Sequence, residues 1–364
     1  MQGKLTLSDG TVFLGQSFGG EISTSGEVVF NTGMTGYPES LTDPSYFGQI
    51  LVLTYPIIGN YGVPKKEFWE SKKIQAKALI VQNYIDNPSH FESEKTLGLW
   101  LKEEGIPALF GVDTRLLTRK LREHGVMLGQ IELGTRSLEL GKKKDPSSTN
   151  LAPNSIYDPN LENILPQVST DKVQTYGEGK KNIVLIDCGA KENIVRSLVR
   201  RGVKVTKVPW DFNPLKDPRA GGFDGVFVSN GPGDPKMAKQ TIQNVKELLS
   251  RNIPIFGICL GSQILGLAAG GDTYKLKFGH RGQNQPILNP KTKKAIITSQ
   301  NHGFAVDMKS LSSDYEEWFV NLNDGTNEGI RHKSKPFMAV QFHPEANPGP
   351  FDGGYLFDEF IKLL

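Results

Sequence analysis

Hydrophobic and polar positions change their spacing near the middle of the chain. In the second half, apolar runs alternate with segments whose apolar residues recur every three or four positions. The apolar runs read NIVLID, VKVTKV, GVFV and IPIFGI, and the helix-like segments read KENIVRSLVRRG and KMAKQTIQNVKELL. This alternation predicts an α/β domain with a mostly parallel sheet covered on both faces. In such sheets, functional sites form at the carboxyl ends of the strands.

The first half has a more mixed pattern. KLTLSDGTVFLGQSF predicts a hairpin that turns at Asp9-Gly10, and EVVFNTG and QILVLTY predict further strands. HFESEKTLGLWLKEEG and TRLLTRKLREHG predict amphipathic helices, each ending at a glycine. We therefore predict a mixed α+β or three-layer domain at residues 1–150. A polar stretch without periodicity follows, so we predict a linker at 151–181 and a second domain at 182–364.

Composition narrows the class of protein. The chain has 364 residues, 37% of them hydrophobic, and a formal net charge of +3, which fits a soluble globular protein with two domains. The weak, dispersed positive charge gives no argument for nucleic acid, and no apolar stretch is long enough for a membrane span. Two cysteines suit a reducing compartment, so we expect the cytoplasm, with mitochondria left open if a transit peptide was removed.

The stretch FGICLGSQ contains the first candidate for catalysis. A strand, then G-x-C-x-G, then a helix is the cysteine form of a nucleophile elbow. Gly257 and Gly261 flank Cys259 because side chains there would collide with the neighbouring backbone. The helix N-terminus favours a thiolate, and the amide of Leu260 is placed to stabilise an oxyanion. The alternative is a buried structural cysteine between tight-turn glycines.

A base for this cysteine is suggested by FMAVQFHPE. An apolar run ends at His343, and Glu345 follows two residues later, on the same side of an extended segment. Glu345 can therefore orient the imidazole, as the third member of a triad does. An incidental surface His-Pro-Glu is the alternative. The chain order Cys259, His343, Glu345 favours a triad.

The remaining motifs give weaker arguments for a functional site. SNGPGDP has bare backbone amides after a strand and suits an oxyanion, although a plain surface turn has the same composition. His302 and Cys188 are interpreted as structural. We expect no metal centre, because the chain has no CxxC and no HExxH motif, and it has no P-loop or GxGxxG turn.

Taken together, GICLGSQ, HPE and SNGPGDP resemble the nucleophile, base and oxyanion motifs of class I (triad) glutamine amidotransferases. The first half, including SFGGEISTSGEVVFNTGMTGYPESLTDPSYFGQILVLTYPIIGNYG and GVDTRLLTRKLREHG, resembles the glutaminase (small) subunit of carbamoyl-phosphate synthetase. HRGQNQP and TSQNHGFAV are similar to the same family. The resemblance covers the chain except the linker and implies a flavodoxin-like C-terminal domain.

The resemblance also implies a reaction. The Cys259 thiolate attacks the side-chain amide of glutamine, His343 serves as base and then as acid toward ammonia, and Glu345 orients His343. Water then hydrolyses the glutamyl thioester. The implied oxyanion hole is the backbone amides of Gly231 and Leu260. The implied substrate contacts are Ser45, Gly231, Gly233, Leu260, Gln263, Asn301, Gly303 and Phe304. Since Ser45 belongs to the first domain, we expect the glutamine site at the domain junction.

The family implies a partner as well. Ammonia would pass through a tunnel to a synthetase subunit or domain that uses ATP, Mg and bicarbonate, and no cofactor is expected in this chain. Pyrimidine synthesis is favoured over arginine synthesis, because TYKLKFGHRGQNQP and NDGTNEGI resemble the fused pyrimidine enzymes of eukaryotes. A separate subunit and a fused domain both stay open, as do the oligomeric state and allosteric effectors.

One residue departs from the family pattern. Ser262 stands where the family usually has histidine, next to the elbow but outside the triad. Some urea-cycle relatives lack the cysteine and do not use glutamine, whereas this chain keeps all three triad residues. Two other functions are weighed: a non-catalytic module that regulates the synthetase, and a free-standing cysteine hydrolase.

Overall fold

The computed structural model describes residues 1–134 and 156–364. Contacts divide the chain into two compact units, Met1–Pro159 and Asn160–Leu364. The polar KKKDPS stretch lies outside the described residues.

The second unit begins earlier than the predicted boundary at residue 182. Ile164 and Leu165 are buried, and residues Gln174–Tyr176 form a strand. Thr170 N donates a hydrogen bond to Asp187 Oδ2 at 2.8 Å. From Asn160 on, the stretch interpreted as a linker is therefore packed structure. Its few buried apolar residues are widely separated by polar residues, so the sequence shows no periodic pattern there.

The first unit is built around a barrel. Among its described residues, the strands are β1 (Gln2–Leu7), β2 (Val12–Ser17), β3 (Thr24–Asn31), β4 (Gln49–Leu53), β5 (Ile57–Ile58), β6 (Ala78–Ile80), β7 (Asn83–Tyr84), β8 (Ala108–Phe110) and β9 (Met127–Leu133). The helices are α1 (Tyr37–Thr42), α2 (Leu97–Glu103) and α3 (Thr114–His124). Seven strands close into a barrel in the order β1-β2-β8-β6-β4-β3-β9. The predicted α+β character is confirmed, but a closed barrel is not the layered sheet considered from the sequence.

The predicted hairpin turn and helix end of this unit are found where a glycine determines the backbone. The first two strands pair antiparallel around Asp9-Gly10, and Gly10 has φ +84°. The predicted helix α3 ends at Gly125 as expected. The helix predicted from His90 begins only at Leu97, because the Thr96 side chain accepts a hydrogen bond from Leu99 N and caps it there.

The second unit holds a ten-stranded sheet. Its strands are β10 (Gln174–Tyr176), β11 (Asn182–Asp187), β12 (Lys204–Pro209), β13 (Gly225–Val228), β14 (Ile255–Ile258), β15 (Asp272–Leu288), β16 (Ala295–Asp307), β17 (Tyr315–Asn321), β18 (Asn327–His332) and β19 (Phe337–Val340). Its helices are α4 (Glu192–Val199), α5 (Lys239–Ser250), α6 (Leu260–Ala268) and α7 (Tyr355–Ile361). The strand order is β10-β12-β11-β13-β14-β19-β18-β17-β15-β16.

The centre of this sheet is parallel, as predicted. β12, β11, β13, β14 and β19 pair side by side in parallel. Alternate residues of β11 serve two cores: Val184 and Ile186 pack in one cluster, Ile183 and Leu185 in the other. Burial on both faces explains why these strands are continuous apolar runs.

No helix in the described ranges is long and apolar enough to cross a membrane.

Candidate active site

The elbow at Cys259 has the geometry that its sequence predicts. β14 ends at Ile258 and α6 begins at Leu260, so the cysteine alone makes the turn. Cys259 has φ +54° and ψ −107°, a conformation that L-residues rarely adopt. Such a conformation costs about 1–3 kcal/mol and persists only where the surroundings impose it. Strain at a nucleophile between strand and helix is the mark of a catalytic elbow.

The glycines of the elbow are required by close backbone approach. A Cβ atom at Gly257 would lie 2.4 Å from the carbonyl oxygen of Gly261. A Cβ atom at Gly261 would lie 2.1 Å from the carbonyl oxygen of Val228. No real Cβ contact is that short, so the predicted reason for both glycines is confirmed.

The sheet order brings three predicted motifs to one edge. β14 pairs in parallel with β13 on one side and β19 on the other. The carboxyl ends of these strands lead directly into SNGPGDP, the Cys259 elbow and the HPE segment. Cys259 N donates a hydrogen bond to Val340 O at 2.8 Å, which ties the elbow to the strand that precedes His343. Parallel pairing of distant segments thus assembles the site.

The His343 and Glu345 side chains form the predicted pair. His343 Nδ1 lies 2.7 Å from Glu345 Oε1, and both residues are buried. Burial lowers the pKa of His343, but the Glu345 carboxylate and Cys259 outweigh it and raise the pKa to about 10. His343 Nε2 makes no oxygen or nitrogen hydrogen bond within the described residues. The site therefore favours an imidazolium beside the cysteine sulfur.

Lys191 is a residue of this site that the sequence analysis missed. Lys191 Nζ lies 3.1 Å from Glu345 Oε1 and donates to Ala346 O at 2.7 Å. Burial raises the pKa of Glu345, but Lys191 and His343 lower it to about 2. Asn193 Nδ2 also donates to Glu345 O at 2.5 Å. The signal was a lysine just after the end of β11, at the same sheet edge as the predicted motifs.

The SNGPGDP loop, which is predicted to bind the oxyanion, packs directly against the elbow. A Cβ atom at Gly231 would meet Cys188 O at 2.1 Å and Leu260 Cδ2 at 2.8 Å. Asn230 Oδ1 accepts a hydrogen bond from Lys191 N at 3.0 Å and holds this loop to the next strand end. The two residues predicted to supply oxyanion amides, Gly231 and Leu260, are therefore neighbours. Gly233 lies in the same loop with φ +85°.

Four of the predicted substrate contacts lie on two elements near the elbow. Asn301, Gly303 and Phe304 lie on β16, and Gln263 lies on α6. Cys259 Sγ lies 3.6 Å from Asn301 O. Gln263 Nε2 donates to Phe304 O at 2.9 Å. The structure thus places Asn301 against the thiol and joins Gln263 to Phe304, and the contacts of all four residues to glutamine stay a prediction.

Three remaining residues can be located. Ser45 is buried in the turn Pro44–Tyr46 of the first unit, and its part in glutamine binding stays a prediction. Ser262 is buried in the first turn of α6, and its Oγ has no hydrogen-bond partner within the described residues. Burial raises the pKa of Cys188, which keeps it a thiol and agrees with its structural interpretation.

We expect Glu345→Gln to change the pH dependence of turnover. Removing the carboxylate removes a charge that raises the pKa of His343, so the imidazolium loses its proton at lower pH. The alkaline limb of the pH profile for glutamate release should therefore move to lower pH. An alkaline limb that stays where the unsubstituted chain has it would mean that Glu345 does not act through His343.

Family models match both halves of the chain. The model "Carbamoyl-phosphate synthase small chain, CPSase domain" matches residues 5–131, and "Glutamine amidotransferase class-I" matches residues 184–363. A protein of Neurospora crassa, "Carbamoyl phosphate synthase arginine-specific small chain", is 48% identical over 98% of this chain and 78% of its own length. This chain belongs to the carbamoyl-phosphate synthase small-chain family. The predicted family and the amidotransferase fold are thereby confirmed.

Other relatives carry the small-chain sequence within longer proteins. "Multifunctional protein CAD" of Squalus acanthias is 50% identical over 98% of this chain and 16% of its own length. "Carbamoyl-phosphate synthase [ammonia], mitochondrial" of Mus musculus is 46% identical over 99% of this chain and 23% of its own length. This small-chain sequence therefore spans less than a quarter of these two relatives.

Proposed function

We propose that this chain hydrolyses glutamine at Cys259 and supplies the ammonia to a carbamoyl-phosphate synthetase. The observation that carries the proposal is the strained Cys259 elbow beside the buried His343–Glu345 pair. A strained thiol facing a histidine whose second nitrogen is held by a carboxylate is the arrangement for nucleophilic attack on an amide. A purely structural cysteine would need neither the strain nor the charged partners.

The first half of the reaction forms the thioester. The Cys259 thiol gives its proton to His343 Nε2, and the thiolate attacks the amide carbon of glutamine. The backbone amides of Gly231 and Leu260 stabilise the oxyanion that develops. The tetrahedral intermediate collapses as the imidazolium protonates the amine, so ammonia leaves and a γ-glutamyl thioester remains.

The second half releases glutamate. Neutral His343 takes a proton from a water molecule, the hydroxide attacks the thioester carbon, and the returned proton restores the Cys259 thiol. Glu345 holds the imidazole orientation through Nδ1 in both halves, at 2.7 Å. Lys191, 3.1 Å from the same carboxylate oxygen, keeps Glu345 ionised when His343 is neutral. Its buried cation stabilises the carboxylate when the imidazolium charge is absent.

The proposed partner is a synthetase that consumes the ammonia together with bicarbonate and Mg-ATP. Family membership supports this proposal, since the small-chain sequence occurs within much longer relatives. Ammonia would have to reach the synthetase without release to water, where protonation would remove its nucleophilic lone pair. Neither nucleic acid nor a membrane has a part in this proposal.

We expect the isolated chain to turn over glutamine slowly and the synthetase to stimulate it. The oxyanion amides lie in a glycine-rich loop, and a misplacement of about 1 Å can cost roughly 10²-fold in rate. Docking with bicarbonate and Mg-ATP should align this loop and raise glutamate release by at least about tenfold. Glutamate release from the purified chain, with and without synthetase, measures the effect.

The same assay separates the two alternatives. A full rate without the synthetase, unchanged on its addition, would support a free-standing cysteine hydrolase. No glutamate release under either condition, with ammonia-dependent synthesis still stimulated, would indicate a regulatory module. Stimulated glutamate release that is matched by carbamoyl phosphate formation supports the proposal.

Pyrimidine synthesis is the proposed pathway, on the likeness of TYKLKFGHRGQNQP and NDGTNEGI to fused pyrimidine enzymes. The relative named as arginine-specific supports arginine synthesis as the other candidate. Loss of the gene should produce a growth requirement for uracil that arginine does not relieve. A requirement relieved by arginine alone would overturn the pathway and leave the glutaminase proposal standing.

A further inference from the structure

Three buried side chains outside the catalytic pair gather on neighbouring strands. His280 on β15, His302 on β16 and Glu328 on β18 each offer a ligand atom, and these atoms all lie within 4.8 Å of one another. His280 and His302 are direct cross-strand partners in the hairpin register. All three residues are less than a tenth exposed. Two imidazoles and a carboxylate that are held together away from water form a set of ligands that favours binding of a cation.

Both imidazoles are already oriented by partners on their outer side. His280 Nε2 lies 2.8 Å from Asp324 Oδ2, which leaves Nδ1 facing the cluster. His302 Nδ1 lies 2.8 Å from the carbonyl oxygen of Phe304, which leaves Nε2 on the other side. Carboxylate and carbonyl acceptors that fix one ring nitrogen, so that the other presents a lone pair, are the usual outer partners of metal-binding histidines.

Inside the cluster, Glu328 Oε1 accepts a hydrogen bond from Asn321 Nδ2 at 2.8 Å, but two other polar atoms lack partners. Glu328 Oε2 and His280 Nδ1 make no acceptable hydrogen bond within the described residues. His280 Nδ1 lies 3.3 Å from Glu328 Oε1, close enough for attraction but without hydrogen-bond geometry. Two inward-facing atoms without hydrogen bonds in a buried site carry a desolvation cost that a bound cation would offset.

His302 Nε2 also faces an atom with which it cannot form a hydrogen bond. It lies 3.2 Å from Gln300 Oε1, which is an acceptor. The Gln300 amide cannot simply turn over, because its Nε2 donates to Thr298 Oγ1 and that hydroxyl donates to Gln285 O. A neutral imidazole has one N–H, and the shorter contact to Phe304 O takes it. Two lone pairs therefore face each other, and a metal ion would bind both.

We propose that His280, His302 and Glu328 form a binding site for a divalent transition-metal ion, with zinc the best fit. Imidazole nitrogen and carboxylate oxygen are its ligands in mixed sites. Zinc bonds of about 2.1 Å put tetrahedral ligands roughly 3.4 Å apart, so the cluster would contract slightly on binding. Gln300 Oε1, 3.2 Å from His302 Nε2, is the candidate fourth donor. The site does not depend on the proposed glutaminase chemistry.

The ion would have a structural consequence near the cysteine. His302 stands between Asn301 and Gly303 on β16, and Cys259 Sγ lies 3.6 Å from Asn301 O. Metal bound at His302 would fix the strand segment that carries proposed glutamine contacts. It would touch neither the thiol nor His343.

The test is a zinc titration of the full chain carrying Cys259→Ala, which removes the thiol as a competing ligand. The chain is stripped with chelator and titrated with Zn²⁺ against a chromophoric chelator, and Co²⁺ is used in parallel to read ligand geometry from its absorption. We expect one equivalent of zinc that survives gel filtration and an intense four-coordinate Co²⁺ spectrum. A parent chain that retains no zinc would overturn the proposal by itself.

Substitutions then locate the ion. Glu328→Gln and His280→Asn should each weaken zinc binding by at least about 10–100-fold. His332→Asn is the matched control on the same strand as Glu328, because its Nδ1 only accepts backbone hydrogen bonds from Ser334 and Lys335. Equal zinc affinity in all three variants would show adventitious surface binding and overturn the assignment.

Discussion

Cys259→Ala should abolish glutamine hydrolysis and leave ammonia-dependent carbamoyl phosphate synthesis intact. The substitution removes the only atom that forms the thioester, so the loss in glutaminase turnover should exceed about 10³-fold. The fold should survive, because alanine keeps the same Cβ as cysteine and adds no new strain at φ +54°. Both activities are measured on the complex with synthetase, with glutamine or an ammonium salt as nitrogen donor.

Cys188→Ala is the matched control for this prediction. Cys188 is buried at the end of β11, and burial raises the pKa of its thiol, so it supplies no thiolate. Its loss should cost about 1 kcal/mol of unfolding free energy and no turnover. Loss of glutaminase activity in a folded Cys188→Ala chain, or retention of it in Cys259→Ala, would assign the nucleophile to the wrong cysteine.

The second large effect is expected for His343→Asn. Asparagine can accept and donate hydrogen bonds but cannot carry the proton that ammonia needs to leave, so turnover should fall by about 10²–10⁴-fold. Cysteine alkylation by iodoacetamide at neutral pH should slow as well, because His343 Nε2 can no longer take the Cys259 proton. Single-turnover glutamate release and the alkylation rate measure the two roles separately.

The pair His343→Asn with Glu345→Gln tests whether the triad acts as a unit. Glu345 acts through the imidazole at 2.7 Å, so the double variant should be little slower than His343→Asn alone. Losses that multiply would show that Glu345 has a separate task, such as holding Lys191 and the strand end.

The elbow could be predicted from sequence because its causes are local. The glycines on either side of Cys259 and the change from strand to helix are all within a few residues, and the two-residue spacing of His343 and Glu345 sets their pairing. The parallel centre of the sheet could also be predicted from the sequence, because strands buried on both faces are continuously apolar. These features needed no knowledge of which segments meet.

Features that depend on distant pairing were not predictable. The barrel of the first unit requires β3, β4, β6 and β8 to pair in parallel, and nothing in their short apolar runs specifies the neighbours. Lys191 reaches Glu345 only because the carboxyl ends of β11 and β19 lie on the same side of the sheet. Metal motifs such as CxxC and HExxH have close spacings, whereas His280 and His302 meet through the register of a long hairpin.

The most direct test of the central claim is to trap the intermediate. The chain with its synthetase is mixed with radiolabelled glutamine, quenched in acid during turnover, digested and mapped by mass spectrometry. We predict one γ-glutamyl group per chain on the peptide that contains Cys259, absent in Cys259→Ala and removed by hydroxylamine, which cleaves thioesters. Glutamate release without any label on Cys259, or label on a different residue, would contradict the mechanism.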